Sequence, residues 1–124
     1  MDGDIYTVIW DPALICDHEQ PMNYNAAPPL QKTSILVTDI TAFFCDFMQN
    51  NNLGQIANAS VAISDISPLR IRDPRCVALA ALHSTAVDFQ KTGLAAAMPR
   101  ELNPTEYPDF MEKGDKKSYE SITV

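Results

Sequence analysis

Asp2 and Asp4 flank Gly3, directly before the run Ile5-Tyr6-Thr7-Val8-Ile9-Trp10. Side chains at i and i+2 of an extended backbone point to the same side, and a glycine between them lets a ligand approach the turn. Two hard oxygen donors so placed suit Mg²⁺, which keeps several waters and bridges to substrate phosphates. Such a site could run metal-assisted phosphoryl transfer. The same three residues also read as a solvated acidic turn. They do not make a calcium loop, which needs further ligands and a downstream Glu.

Four other groups could carry chemistry. Cys16-Asp17-His18-Glu19 could begin a zinc site, but no second pair follows at ligand spacing, so a polar loop is the simpler reading. His83 lies in an apolar helical pattern, where a hydrogen-bonded core or boundary role competes with that of a base. Lys91, within Asp88-Phe89-Gln90-Lys91-Thr92-Gly93, either complements a helix C-terminus or is presented to a phosphate. Arg70, Arg72 and Arg75, with Asp73 among them, either grip an RNA backbone or pair with local acids. Cys45 and Cys76 read as small buried hydrophobes in helices.

The elements that must position these groups are mostly helical. Residues 5–10 are β-branched and aromatic and predict a buried strand, ended by Asp11-Pro12. Residues 16–31 carry three Pro and little periodicity and predict a long loop. Ile40, Phe43, Phe44, Phe47 and Met48 then form one helical stripe, with Thr38 or Asp39 as N-cap and the Asn50-Asn51-Asn52 run as its end. A second helix is expected from Leu53 to about Asp65. Its small residues, Gly54, Ala57, Ala59, Ser60 and Ala62, predict close packing. A third starts at Asp73-Pro74 and ends at Gly93. Its two faces, Val77, Ala80, Ala81, Ser84 and Val87 against Leu79, Leu82, Ala86 and Phe89, predict packing on both sides. Residues 98–112 read as an ordered irregular arm, and the polar stretch from Lys113 to Val124 as frayed.

The fold expected is therefore mainly α: one strand, a long loop, three packed helices and an arm. A lone strand needs a partner, and the helices have more apolar surface than they can mutually cover. Both points suggest a piece of a larger protein. The 124 residues and 13.7 kDa suffice for one ordinary domain. A hydrophobic share of 46% argues against disorder throughout. A net charge of −7 makes the isolated chain a poor nucleic-acid binder, because counterion release needs clustered Lys and Arg. No apolar run is long enough for a membrane span, and the acidic N-terminus is unlike a signal peptide. Three widely spaced Cys suit reduced thiols, so an intracellular setting, cytoplasmic or nuclear, is expected.

Several patches, in order, carry a resemblance. They are Asp2-Gly3-Asp4 with Val8-Ile9-Trp10-Asp11-Pro12, then Asn52-Leu53-Gly54 with Ile56-Ala57-Asn58-Ala59, then Arg72-Asp73-Pro74-Arg75-Cys76. Leu82-His83-Ser84-Thr85-Ala86-Val87 runs into Asp88-Phe89-Gln90-Lys91-Thr92-Gly93, and Met98-Pro99-Arg100-Glu101-Leu102 and Tyr107-Pro108-Asp109-Phe110-Met111 follow. Across about nine-tenths of the chain this order resembles the cellular RNA-dependent RNA polymerases of eukaryotic RNA silencing. In that family an Asp-x-Asp-Gly-Asp motif sits on a loop of a double-psi β-barrel and holds catalytic Mg²⁺. Asp2 and Asp4 match its second and third Asp, Met1 stands at the variable position, and the first Asp is not in this sequence.

The resemblance implies a C-terminal fragment of a larger α+β polymerase. Residues 1–15 would be the end of the catalytic barrel, 16–37 a linker, 38–112 a helical region packing on the barrel, and 113–124 a polar tail. It implies Asp2 and Asp4 as catalytic metal ligands and Lys91 as a phosphate contact. It implies RNA template, ribonucleoside triphosphates and the missing N-terminal polymerase domains as partners, with no membrane. The implied reaction is ribonucleotide transfer that makes double-stranded RNA. The fragment alone is expected to be inactive, because two carboxylates without their barrel lack preorganised geometry. The competing reading is a non-catalytic helical interaction module from a degenerate polymerase gene, its apolar faces serving as a partner surface.

Overall fold

The chain's own punctuation sets where each helix starts and stops. The structure, a computed structural model, describes residues 5–15, 20–24 and 26–122. Helix α1 spans Val37–Gln49, α2 Leu53–Ile66, α3 Pro74–Val87 and the short α4 Phe89–Thr92. Strands β1 (Glu106–Pro108) and β2 (Lys117–Tyr119) pair in parallel, Tyr107 opposite Ser118. Short 3₁₀ turns lie at Arg70–Arg72, Arg100–Leu102 and Asp109–Met111.

Helix α1 begins slightly before the expected cap. Leu36 is the N-cap, and Asp39 sits in the first turn, where its carboxylate accepts the Leu36 N–H at 3.0 Å. That is one half of a capping box; leucine cannot supply the other. Asp39 also accepts from Lys32 Nζ at 2.7 Å, and these two bonds, the Lys32 one foremost, lower its pKa. Asn50 closes the helix, its backbone N–H donating to the Asp46 carbonyl at 2.9 Å.

Helix α3 starts as its sequence predicts. The Asp73 carboxylate accepts the Arg75 N–H at 2.8 Å, and Pro74 occupies the first turn, where no N–H is needed. The Arg75 guanidinium folds back onto the same carboxylate, through Nε at 3.0 Å and a terminal nitrogen at 2.8 Å. Arg75 foremost, then Ser67, hold Asp73 well below the usual carboxylate range. The expected single helix to Gly93 is instead interrupted at Asp88, whose carbonyl accepts the N–H groups of both Lys91 and Thr92 at 2.9 Å. Gly93 ends α4 in the left-handed region at φ 74°, which glycine adopts without strain.

The core is the seam between α2 and α3. Ile56, Ala59 and Ile63 recur on one face of α2 and meet Cys76 and Leu79 of α3; Ala96 and Leu102 close the end. Ala59 and Ala62 are almost fully buried, so small side chains do set the approach of α2. Gly54 does not: a Cβ there would meet nothing within 4 Å. Only one of the two apolar faces of α3 is covered. Leu79 and Phe89 are buried and Leu82 and Ala86 pack at the edge, while Val77 and Val87 are exposed. Cys45, read as buried, is exposed on α1; Cys76 is buried, and that burial raises its thiol pKa.

Two expectations are overturned at the chain's ends. Residues 5–10 form no strand: they are exposed and join no ladder, and among the described residues no barrel is present. Extended backbone becomes a strand only when another strand takes its hydrogen bonds. The sheet forms instead where an irregular arm and a frayed tail were expected. Tyr119 donates its hydroxyl to the Ala62 carbonyl at 3.2 Å, and Ser121 donates to the buried Asp65 carboxylate at 2.9 Å. Asp109 accepts the Ser121 N–H at 3.2 Å. Side chains pinned to α2 thus hold a strand too short to be read from periodicity.

Three outcomes follow from this packing. Leu79→Ala should lower unfolding free energy by about 2–5 kcal/mol in urea titrations, since Leu79 is fully buried in the seam. Asp73 ionises more readily in the folded state, so its contribution is present above the ordinary carboxylate pKa and lost as pH falls through the lowered one. Asp73→Asn keeps a capping oxygen but should flatten that acid limb of a stability–pH curve. Burial, with Asp65 beside it, pushes the Tyr119 phenol up to about 12. Its contribution is complete below pH 10.0, the ordinary value, and is lost as pH rises toward 12. Tyr119→Phe should remove that alkaline loss, read by hydrogen exchange in β2.

Candidate functional site

Asp2, Gly3 and Asp4 lie outside the described residues, as does the run from Cys16 to Glu19. What the structure places is the support downstream of them. The linker is not loose over its described length. Tyr24 donates its hydroxyl to Asp88 Oδ2 at 3.0 Å, and Leu30 donates its N–H to the Thr92 carbonyl at 3.3 Å. The Leu30 side chain then lies over Gly93, so close that a Cβ there would stand 2.9 Å from Leu30 Cδ1. Gly93 is favoured by its positive φ, and a Cβ there would also displace the tip of the exposed Leu30 side chain. Desolvation and the Asp88 carboxylate raise the Tyr24 pKa.

Lys91 projects from α4 beside this tie. Its side chain is 80% exposed, and its ammonium stands 3.4 Å from Asp88 Oδ1. Asp88 thus holds both the linker tyrosine and the lysine. Lys91, Gly93 and Leu30 line one side of an open groove of about 500 Å³, and Lys32, Asp39 and Ile40 line the other. The groove therefore joins the linker, the start of α1 and the end of α4. Phe43 and Phe47 of α1 stack at a tilt on Phe89, with ring centroids 5.8 and 5.7 Å away.

The remaining sequence candidates separate. The Arg75 guanidinium is paired with Asp73, the cap of α3, and Arg70 donates to the Asp65 carbonyl at 2.8 Å, bracing the end of α2. Arg70 does so at φ 53°, a conformation that costs a non-glycine residue energy and is held by the turn around it. These two arginines are thus structural here. His83 is exposed on α3, although it follows Leu79 by four residues and Cys76 by seven. Among the described residues, no three His, Cys, Asp or Glu side chains converge to hold a metal. Sequence reasoning missed Tyr24, Leu30 and the double use of Asp88, since partners more than sixty residues apart leave no local signal. Gly93, read from the sequence as a helix end, stands at that contact.

The family model described as RNA dependent RNA polymerase matches residues 1–124. Probable RNA-dependent RNA polymerase 2 of Oryza sativa subsp. japonica is 46% identical over the whole of this chain and 11% of its own length. RNA-dependent RNA polymerase 1 of Arabidopsis thaliana is 44% identical over the same shares. RNA-dependent RNA polymerase 1 of Schizosaccharomyces pombe is 38% identical, again over all of this chain and 11% of the relative. The chain thus spans about a tenth of the length of these curated relatives. A match that runs end to end, with Asp2-Gly3-Asp4 and Lys91 inside it, places the chain in the RNA-dependent RNA polymerase family.

Proposed function

We propose that this chain is the stretch of an RNA-dependent RNA polymerase that carries the last two aspartates of the metal-binding motif. In the complete polymerase it would serve template-directed ribonucleotide transfer, making double-stranded RNA for small-RNA silencing. The observation that carries this reading is the family match across the whole chain, Asp2-Gly3-Asp4 included. The substrates would be an RNA template and ribonucleoside triphosphates. The reduced-thiol reading of the three Cys supports an intracellular setting, cytoplasmic or nuclear.

Asp2 and Asp4 offer only hard carboxylate oxygens, the donor type that Mg²⁺ prefers. Bound there, the metal would supply positive charge to phosphoryl oxygens and activate the attacking hydroxyl. The chain's own residues do the rest. Gly3, lacking a Cβ, leaves room for a phosphate beside the two carboxylates. Lys91 supplies an exposed ammonium for a phosphate, and Asp88 restricts where it can point. The linker tie through Tyr24 and Leu30 fixes the far end of the segment that leads from the aspartates. The acidic balance of this stretch requires that basic groups for the RNA backbone come from elsewhere in the polymerase.

The test is substitution in the complete polymerase. Asp2→Asn and Asp4→Asn should each lower kcat for templated incorporation by about 10²–10³-fold while leaving RNA binding unchanged. Chelation of divalent metal should abolish incorporation, and Mg²⁺ should restore it. Retention of activity in both variants would refute the assignment.

A further inference from the structure

Among the described residues, two lysines line the groove between α1 and α4. Lys32 Nζ holds Asp39 at 2.7 Å, the length of a charge-assisted hydrogen bond. Lys91 Nζ stands 3.4 Å from Asp88 Oδ1, too far for such a bond, and its side chain is 80% exposed. That pair biases where the ammonium points and leaves its N–H donors for another group. Asp88 itself is closely placed. Its N–H donates to the Ser84 carbonyl at 3.2 Å, and its carbonyl accepts the N–H groups of Lys91 and Thr92 at 2.9 Å. What this backbone does not fix is the rotation of the carboxylate, a broad torsion in aspartate. Tyr24 fixes it. The tyrosine hydroxyl donates to Asp88 Oδ2 at 3.0 Å, which leaves Oδ1 toward Lys91.

We propose that Tyr24, acting through Asp88, is a positioning residue that aims the Lys91 ammonium at a ribonucleotide phosphate. The inference deepens the polymerase reading and rests on it, since it takes Lys91 as the phosphate contact. Lysine is a point charge on a flexible stem, and a phosphate that binds it must immobilise that stem. A carboxylate held at a set angle removes part of that entropy loss before the phosphate arrives. The hydrogen bond joins residues 64 apart, so it couples the linker that leads from Asp2 and Asp4 to the lysine. Removing the hydroxyl does not free the linker, because the Leu30 N–H still donates to the Thr92 carbonyl at 3.3 Å. An incoming triphosphate and an RNA backbone both offer the anionic oxygens that this ammonium would meet.

Steady-state kinetics of the complete polymerase, with RNA affinity measured in parallel, tests the proposal. Lys91→Met should raise the KM for ribonucleoside triphosphate or the Kd for RNA by about tenfold or more, as expected for a lost hydrogen bond to a charged group. A triphosphate contact moves the first constant and an RNA contact the second. Tyr24→Phe should raise that same constant about two- to fivefold, the range of an exposed ion pair, with kcat held. Asp88→Asn should do likewise. In the Lys91→Met background neither change should have a further effect. A Tyr24→Phe variant that leaves both constants unchanged, or adds its full effect to that of Lys91→Met, would overturn the proposal in favour of a purely structural tyrosine. It is overturned equally if Lys91→Met moves neither constant. The polymerase reading fails separately, by full incorporation in both Asp2→Asn and Asp4→Asn.

Discussion

The apolar seam between α2 and α3 is the constraint on which the rest of the structure depends. Ile56 and Leu79 are fully shut off from solvent there, and Ala59 keeps the two backbones near enough for that contact. Asp73 and Pro74 start α3 at a defined point after the Arg70–Arg72 turn. The Asp73 carboxylate serves the helix N-terminus and the Arg75 guanidinium at once, so one ionised group fixes both the direction of α3 and the position of its first turn. Beyond the seam, Ala96 and Leu102 close the apolar end, and Asn52 donates to the Ala96 carbonyl at 2.9 Å. A change in the seam would therefore reach both the C-terminal sheet and the α4 end.

From that seam the structure is built outward by single polar contacts. The sheet is tied to α2 through Tyr119 and Ser121. The linker is tied to the α3–α4 junction through Tyr24 and the Leu30 backbone. Helix α1 rests on Phe89 through two rings. Each tie involves few groups, so these peripheral elements have lower local stability than the seam. This gradation suits a polymerase segment. The helical pair is the rigid base, and the elements bordering the groove and leading toward Asp2 and Asp4 are held at points along their length.

The exposed apolar surface gives the segment its character. Ile40, Phe44 and Met48 of α1 expose side chains that isolated domains of this size normally bury. The relatives that match this stretch are chains about nine times as long. Ile5 to Trp10 and the Val77 and Val87 face of α3 are likewise exposed. Both are local signals that no partner meets among the described residues.

The sequence by itself determined where α1 ends, where α3 starts and where α4 ends, because these depend on groups within a few residues of one another: Asn50 with Asp46, Asp73 with Arg75, Gly93 with Phe89. It also carried the family, through the acidic motif and the ordered patches that follow it. It did not determine which apolar face of α3 is buried, since both faces have the right periodicity and only the position of α2 chooses between them. Nor did it disclose the tie between Tyr24 and Asp88, the sheet between residues 106–108 and 117–119, or the exposure of Cys45. Those depend on contacts between segments far apart in the chain, and only tertiary packing brings such segments together.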